Sequence, residues 1–293
     1  GLSIPCLGTG QDGELQLGVT RGFNLNPDTV TDVATGLIWQ KCLWGQTSPS
    51  CTGTSTKLNW ISAVNYCNTL TLAGKTWRLP NIQELATLIR YGTNPAYYTT
   101  TFLNGGGSYW SSTTSSLSTS TAWIASWNSG TVFTFDKTNS TLYQVRCVSG
   151  PSRTIVNNFT DNGDGTVTDH STGLLWQKCS RGQTNDYVCS GIPTTSDWSS
   201  ALNYCNTLTL AGKIWRLPNI RELYSLVDTD KTSSPSINTF YFINTLALYY
   251  ASSTTNLPVD PKRFWFVDFY DGSISNQVKT YTTFAATRCV SGP

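Results

Sequence analysis

Methionine is missing from all 293 residues, histidine occurs once, as His170, and charged side chains make up only 12 % of the chain for a net charge of +2. A chain without an excess of either sign has no field with which to steer nucleic acid or an anionic membrane surface, so neither is expected as a partner. No apolar run approaches the roughly 18 residues of a spanning helix, so no membrane span is expected. The lack of Met, residue 1 included, reads as a mature product from which a signal segment has been removed. Nucleophile elbows and zinc-ligand spacings are absent too. Gly8-Thr9-Gly10-Gln11-Asp12-Gly13 has the spacing of a nucleotide fingerprint, but no strand leads into it and no helix follows, so it reads as a turn. The expectation is a protein with no catalytic residues and no required cofactor.

What the chain has instead is cysteine, tryptophan and self-similarity. Asn65–Leu85 reads NYCNTLTLAGKTWRLPNIQEL and Asn203–Leu223 reads NYCNTLTLAGKIWRLPNIREL, differing only at Thr76/Ile214 and Gln83/Arg221. A copy this close means that one structural unit was duplicated. Its first half spaces Trp60, Ala63, Val64 and Cys67 as one helical face, repeated as Trp198, Ala201, Leu202 and Cys205, and Leu72-Ala73-Gly74 reads as the helix stop. Asn81 three residues before Glu84, like Asn219 before Glu222, is the reciprocal N-cap pattern of a second short helix, with Leu85, Leu88 and Ile89 as its buried face. Upstream, Thr29–Asp32 and Thr35–Cys42 read as a hairpin that sends Trp39 into the core, copied in Thr166–Cys179 with Trp176. Downstream, Ala122–Trp127 and Phe264–Phe269 are followed by Gly-containing turns that suit antiparallel meanders. Both units close on Arg-Cys-Val-Ser-Gly-Pro, which gives an N-terminal extension over 1–25, a first domain over 26–150 and a second over 151–293.

Eight of the nine cysteines fall as matching sets, Cys42, Cys51, Cys67 and Cys147, then Cys179, Cys189, Cys205 and Cys289. Matched sets without CxxC or His-rich spacing argue for disulfides and an oxidising, exported setting rather than for metal. Each set allows three pairings. The favoured one joins Cys42 to Cys51 and Cys67 to Cys147, repeated as Cys179 to Cys189 and Cys205 to Cys289, because the first bond of each set then closes a short polar loop and the second ties the first helix to the last strand. Cys6 has no counterpart.

With Thr-Gly-Leu-Ile-Trp, Trp-Arg-Leu-Pro-Asn-Ile-x-Glu-Leu, Tyr-Trp-Ser-Ser-Thr-Thr and the closing Val-Arg-Cys-Val in order, each half resembles the bacterial domain family named for the C-terminal domain of the Legionella collagen-like adhesin Lcl. The resemblance implies an exported bacterial protein, secreted or on the cell surface. Its fold would be similar to C-type lectins, with a disulfide from the first helix to the last strand. The fold class is therefore α+β, two tandem C-type-lectin-like domains, each with two short helices and antiparallel strands and each stapled by disulfides. Trp-Arg-Leu-Pro also resembles the formylglycine-generating enzymes, whose reactive cysteines are here committed to the structural pairs. Relatives that hold sulfated polysaccharide make an extracellular polysaccharide an expected partner. The calcium motifs of animal lectins are absent, Trp127-Asn128-Ser129 being the nearest approach.

Candidate sites follow from what is not repeated. Trp44, Trp110 and Trp127 occur only in the first unit, and a Trp that the fold can do without is free to sit at a surface and stack on a sugar. Asp161-Asn162-Gly163-Asp164-Gly165, with Asp169 beyond it, resembles a calcium loop without the bidentate Glu, and reads as a tight turn or a calcium site. His170 stands in a hairpin turn where the other copy has Val33, the place of a turn residue rather than a general base. Leu15, Leu17 and Val19, then Phe23 and Leu25, alternate as a strand with no partner in the duplication. Such a strand, with the odd Cys6 beside it, can complete the sheet of a second copy. The functional expectation is self-association: a structural subunit of an extracellular, pilus-like fibre, joined head to tail through its extension, with a glycan-binding adhesin as the alternative.

Overall fold

The computed structural model describes residues 11–12, 21–138, 140–152, 158–257 and 259–292. Val19–Thr154 make one compact unit, and Gly1–Gly18 together with Ile155–Pro293 make the other. They are the first and second modules below. The first contains β1 (Phe23–Leu25), β2 (Thr29–Asp32), β3 (Ile38–Gln40), α1 (Trp60–Thr69), α2 (Ile82–Ala86), β4 (Ser108–Thr114), β5 (Thr121–Ser126), β6 (Val132–Asp136) and β7 (Val148–Ser149). The second repeats the order with β8 (Phe159–Asp161), β9 (Thr166–Asp169), β10 (Leu174–Gln177), α3 (Trp198–Thr207), α4 (Ile220–Tyr224), β11 (Tyr249–Thr255), β12 (Arg263–Asp268), β13 (Ser273–Val278) and β14 (Val290–Ser291).

Each module has a small antiparallel sheet and a three-stranded meander with the two helices beside them. The small sheets run β1-β2-β3-β7 and β8-β9-β10-β14, so the last strand of each module pairs with the Trp-bearing strand near its start. In that register Trp39 faces Val30 on one side and Val148 on the other, and Trp176 faces Val167 and Val290. The four disulfides are Cys42–Cys51, Cys67–Cys147, Cys179–Cys189 and Cys205–Cys289. The second and fourth tie α1 and α3 to the chain entering the last strand, as the favoured pairing requires.

The helices end differently from the sequence expectation. Asn59 caps α1 and Asp197 caps α3, each side chain accepting from the backbone three residues on, but both helices stop at Leu70 and Leu208 in extended backbone. Ala73 and Gly74, both at positive φ, instead make the tight turn that closes the Leu72–Lys75 bridge. The expected capping boxes are present in α2 and α4. Arg78 and Arg216 brace them, each giving two bonds of 2.7 to 2.8 Å to the capping glutamates Glu84 and Glu222. Bidentate guanidinium–carboxylate pairing is strong and directional, which suits this junction between helix and sheet.

The extension ends earlier than its alternation suggested. Phe23 and Leu25 pair with Asp32 and Val30 of β2 within the first module, and β8 is their counterpart in the second. Phe23 packs edge-on against Tyr98 and Phe102, as Phe159 packs against Tyr241 and Phe242. These two residues therefore belong to the repeat and are not donor positions. Phe-Asn-Leu and Phe-Thr-Asp share too little for the duplication to show. Cys6, Leu15, Leu17 and Val19 lie outside the described residues.

The cores correct the reading of two tryptophans. Trp110 and Trp127 are wholly buried, so no sugar can stack on them. Trp110 lies over Ala122 and Ile124, whereas at the same positions the second module has Ala251 beneath Phe264 and Phe266. One large ring has changed strands. Trp127 has its counterpart in Phe269, which is also wholly buried. For these two, absence of Trp from the second copy marks exchange of volume, not a surface position. Ser111 and Ser115, at the start of the Ser- and Thr-rich stretch 111–121, are buried as well.

Candidate functional site

Trp44 is the one unrepeated tryptophan that reaches solvent, 43 % exposed. It follows the Cys42 staple, and its ring lies 4.5 Å from that of Tyr66 on α1 at a tilt of 53°. Gln40, at the end of β3, donates from Nε2 to the Tyr66 hydroxyl at 2.6 Å. Burial pushes the Tyr66 hydroxyl above its ordinary pKa, so it stays protonated at neutral pH and remains available as a donor. Ser48 donates to an Asp28 carboxylate oxygen across the same hollow. Together with Gln46 these residues line a cavity of about 390 Å³. An exposed indole edge beside a carboxylate, a hydroxyl and amides can take the apolar face and the hydroxyls of a pyranose ring.

The second module has different residues at the matching positions. Arg181 stands where Trp44 does, its guanidinium 5.2 Å from the Tyr204 ring, and it donates to Ser196 Oγ and the Ser200 carbonyl. Gln177 still donates to the Tyr204 hydroxyl at 2.7 Å, but Gly165 replaces Asp28, at a φ of +85° and close beside the Asn185 side chain. The paired glutamine and tyrosine are common architecture, while the indole and the carboxylate are particular to the first module.

The calcium reading fares differently. Asp161 accepts from Lys178 Nζ at 2.7 Å and from the Gly163 amide, which together hold its carboxyl below the ordinary range despite partial burial. Asp164 accepts from the Thr166 amide and hydroxyl, and Asp169 from the Ser171 amide and Thr172 hydroxyl. Asp32 makes the same turn contacts as Asp169, to Ala34 and Thr35, so that carboxylate belongs to the hairpin. Among the described residues no group of three or more His, Cys, Asp or Glu side chains converges to hold a metal. His170 shares a hydrogen bond of 2.9 Å with the Thr160 hydroxyl, in the turn where the sequence put it.

Two features escaped the sequence reading. Arg146 and Arg288, in the closing Arg-Cys-Val, are wholly buried. Arg146 donates to the carbonyls of Gln40 and Lys41 at 2.6 Å and faces the rings of Phe102 and Trp127 at 4.7 and 5.2 Å. Arg288 donates to the Lys178 carbonyl and to the hydroxyls of Ser180 and Thr245, with Phe242 4.8 Å away. Rings and carbonyls, rather than a carboxylate, compensate these charges. The other feature is a contact made by the extension. Thr254 Oγ1 donates to Asp12 Oδ2 at 2.8 Å and Thr255 Oγ1 to Gln11 Oε1 at 3.2 Å, with Gln11 only 4 % exposed. Burial raises the Asp12 pKa above its ordinary value.

Outside the cores, unrepeated residues stand at the Trp44 hollow and at the Gln11–Asp12 contact. The class is a tandem pair of small, disulfide-stapled α+β modules. Residues 28–149 and again 165–291 match the Lcl C-terminal domain, and the chain belongs to that family. No curated protein matches the chain. Two such domains carrying four disulfides are consistent with an extracellular protein. No helix among the described residues is long and apolar enough to cross a membrane.

Proposed function

We propose that the chain is a non-catalytic bacterial surface protein and a structural subunit of a pilus-like extracellular fibre, joined head to tail through the residues that precede its first module. The observation that carries this reading is the docking of Gln11 and Asp12 on the second module, ahead of the chain's entry into the first at Arg21. A segment that leaves one module to complete the surface of another is the usual means of joining subunits without new machinery. The staples and tryptophan cores suit a protein that must persist outside the cell. The helix-to-last-strand disulfides support a C-type-lectin-like assignment for each module.

Electron microscopy of the native material tests the proposal, with filaments expected. Removal of residues 1–20, which spares the Arg21–Asp32 ion pair and β1, should leave a folded, oxidised monomer. Polymerisation of the truncated chain would defeat the proposal.

The Trp44 hollow favours a second reading, glycan binding, alone or along a fibre. A glycan array should retain the protein, and Trp44→Ala should abolish retention while leaving the thermal midpoint within a few degrees. No retention by any glycan would remove this reading.

A further inference from the structure

The chain that leads into each module makes its contacts on the other module. After β7 the chain stays on the first module: the Gly150 carbonyl accepts from Arg78 Nε and Nη2 at 3.3 Å, and Ser152 Oγ accepts from Asn81 Nδ2 at 3.4 Å. This is the start of the connection into the second module. The corresponding ridge of the second module, Arg216 to Asn219 with Thr254 alongside, is where Asp12 and Gln11 arrive. Thr254 accepts from the amide of Ile220, next to Asn219, while donating to Asp12. Thr255 accepts from Lys279 Nζ at 2.9 Å while donating to Gln11.

Matched positions show the footprint of that contact. Thr113 and Thr114 copy Thr254 and Thr255, accepting from the Ile82 amide and from Lys137 Nζ. Yet no described residue accepts from their hydroxyls. Ser112 is exposed where Ser253 is 2 % exposed, and the Arg78 side chain is 26 % exposed against 10 % for Arg216. The second module therefore carries a covered acceptor for an incoming segment, in a place that the first module leaves open beside its own outgoing connection.

We infer that Gln11 and Asp12 are the donor, and Thr254 and Thr255 the acceptor, of the junction between successive copies, so that the second module of one chain receives the segment entering the first module of the next. The inference rests on the fibre reading and supplies its contact. The chain that enters the second module sits on the first, the module before it. For the first module, the second module of another copy offers the same acceptor that Gln11 and Asp12 occupy here. The connector from Asp12 to Arg21 spans nine residue steps, a reach of about 30 Å, which serves a neighbouring chain as well as its own. Exchange of an identical contact between copies needs no new surface, and where the rotation does not close it runs on as a filament.

Cross-linking tests this in the full chain. Asp12→Cys with Thr254→Cys, in a Cys6→Ser background, should oxidise under assembly conditions to a ladder of covalent multimers that collapses on reduction. Asp12→Cys with Thr113→Cys should stay monomeric. Gln11→Cys with Thr255→Cys repeats the test should the Thr254 variant fold poorly, since Thr254 also holds the Ile220 amide. Filaments that carry only an intramolecular bond, or no bond with either pair, would overturn the inference and leave the fibre reading standing. If unmodified protein forms no filaments, the fibre reading fails and takes the inference with it.

Discussion

At the scale of the residue, Trp110 in the first module's core and Trp44 at its surface should behave oppositely. Trp110→Ala removes a wholly buried ring and should cost about 3 to 5 kcal/mol, read as a lower denaturation midpoint with the m-value unchanged. Trp44→Ala touches a half-exposed ring and should shift the midpoint little. Asp12 gives a pH dependence with a definite sign. Its carboxyl is raised by burial, opposed by the Thr254 hydrogen bond, with Glu222 adding to the rise and Arg221 and Arg216 subtracting from it. Docking therefore favours the protonated acid and is strongest below the free carboxyl's pKa. It weakens as pH rises through the raised value of the docked form. Anisotropy of a dye on Cys6 should accordingly increase as pH falls from neutral toward about 4; a flat profile would mean that Asp12 does not govern docking.

At the scale of the element, the capping boxes and staples were legible because each is a short, local pattern. Asn81→Ala should cost about 1 kcal/mol, measurable by chemical denaturation, since it frees the Glu84 amide that its side chain satisfies. Cys67–Cys147 closes a separation of 80 residues, worth about 4.5 kcal/mol on the chain-entropy account. Its removal by Cys67→Ala with Cys147→Ala should be far costlier than removal of Cys42–Cys51. What the sequence did not reveal is what depends on a partner far along the chain. β1 was missed as part of the repeat because its match to β8 is pairing with β2 and packing of one Phe, not identity. Trp110 was misplaced because its equivalent, Phe264, stands on the neighbouring strand. Arg146 was overlooked because the carbonyls it satisfies, of Gln40 and Lys41, come from the other end of the module.

At the scale of the whole molecule, the two modules have diverged in what they present outward, while their cores keep the same architecture with some volume exchanged between strands. Trp44 against Arg181, and an open Thr113 against a covered Thr254, are differences that a duplication accumulates once its copies hold different posts. Gln40 with Tyr66 and Gln177 with Tyr204 persist because they tie a helix to a sheet in both.

The ring that changed strands also has a hereditary consequence. The two stretches running from Asn65 and Asn203 are nearly the same text, and tracts so alike invite crossover within a gene. An exchange that begins in those tracts and ends between the first two strands of the meander would set Trp110 against Phe264 and Phe266, while the reciprocal product would leave Ala251 over Ala122 with nothing between. One product is overfull and the other hollow, so only exchanges that carry both strands together leave a filled core.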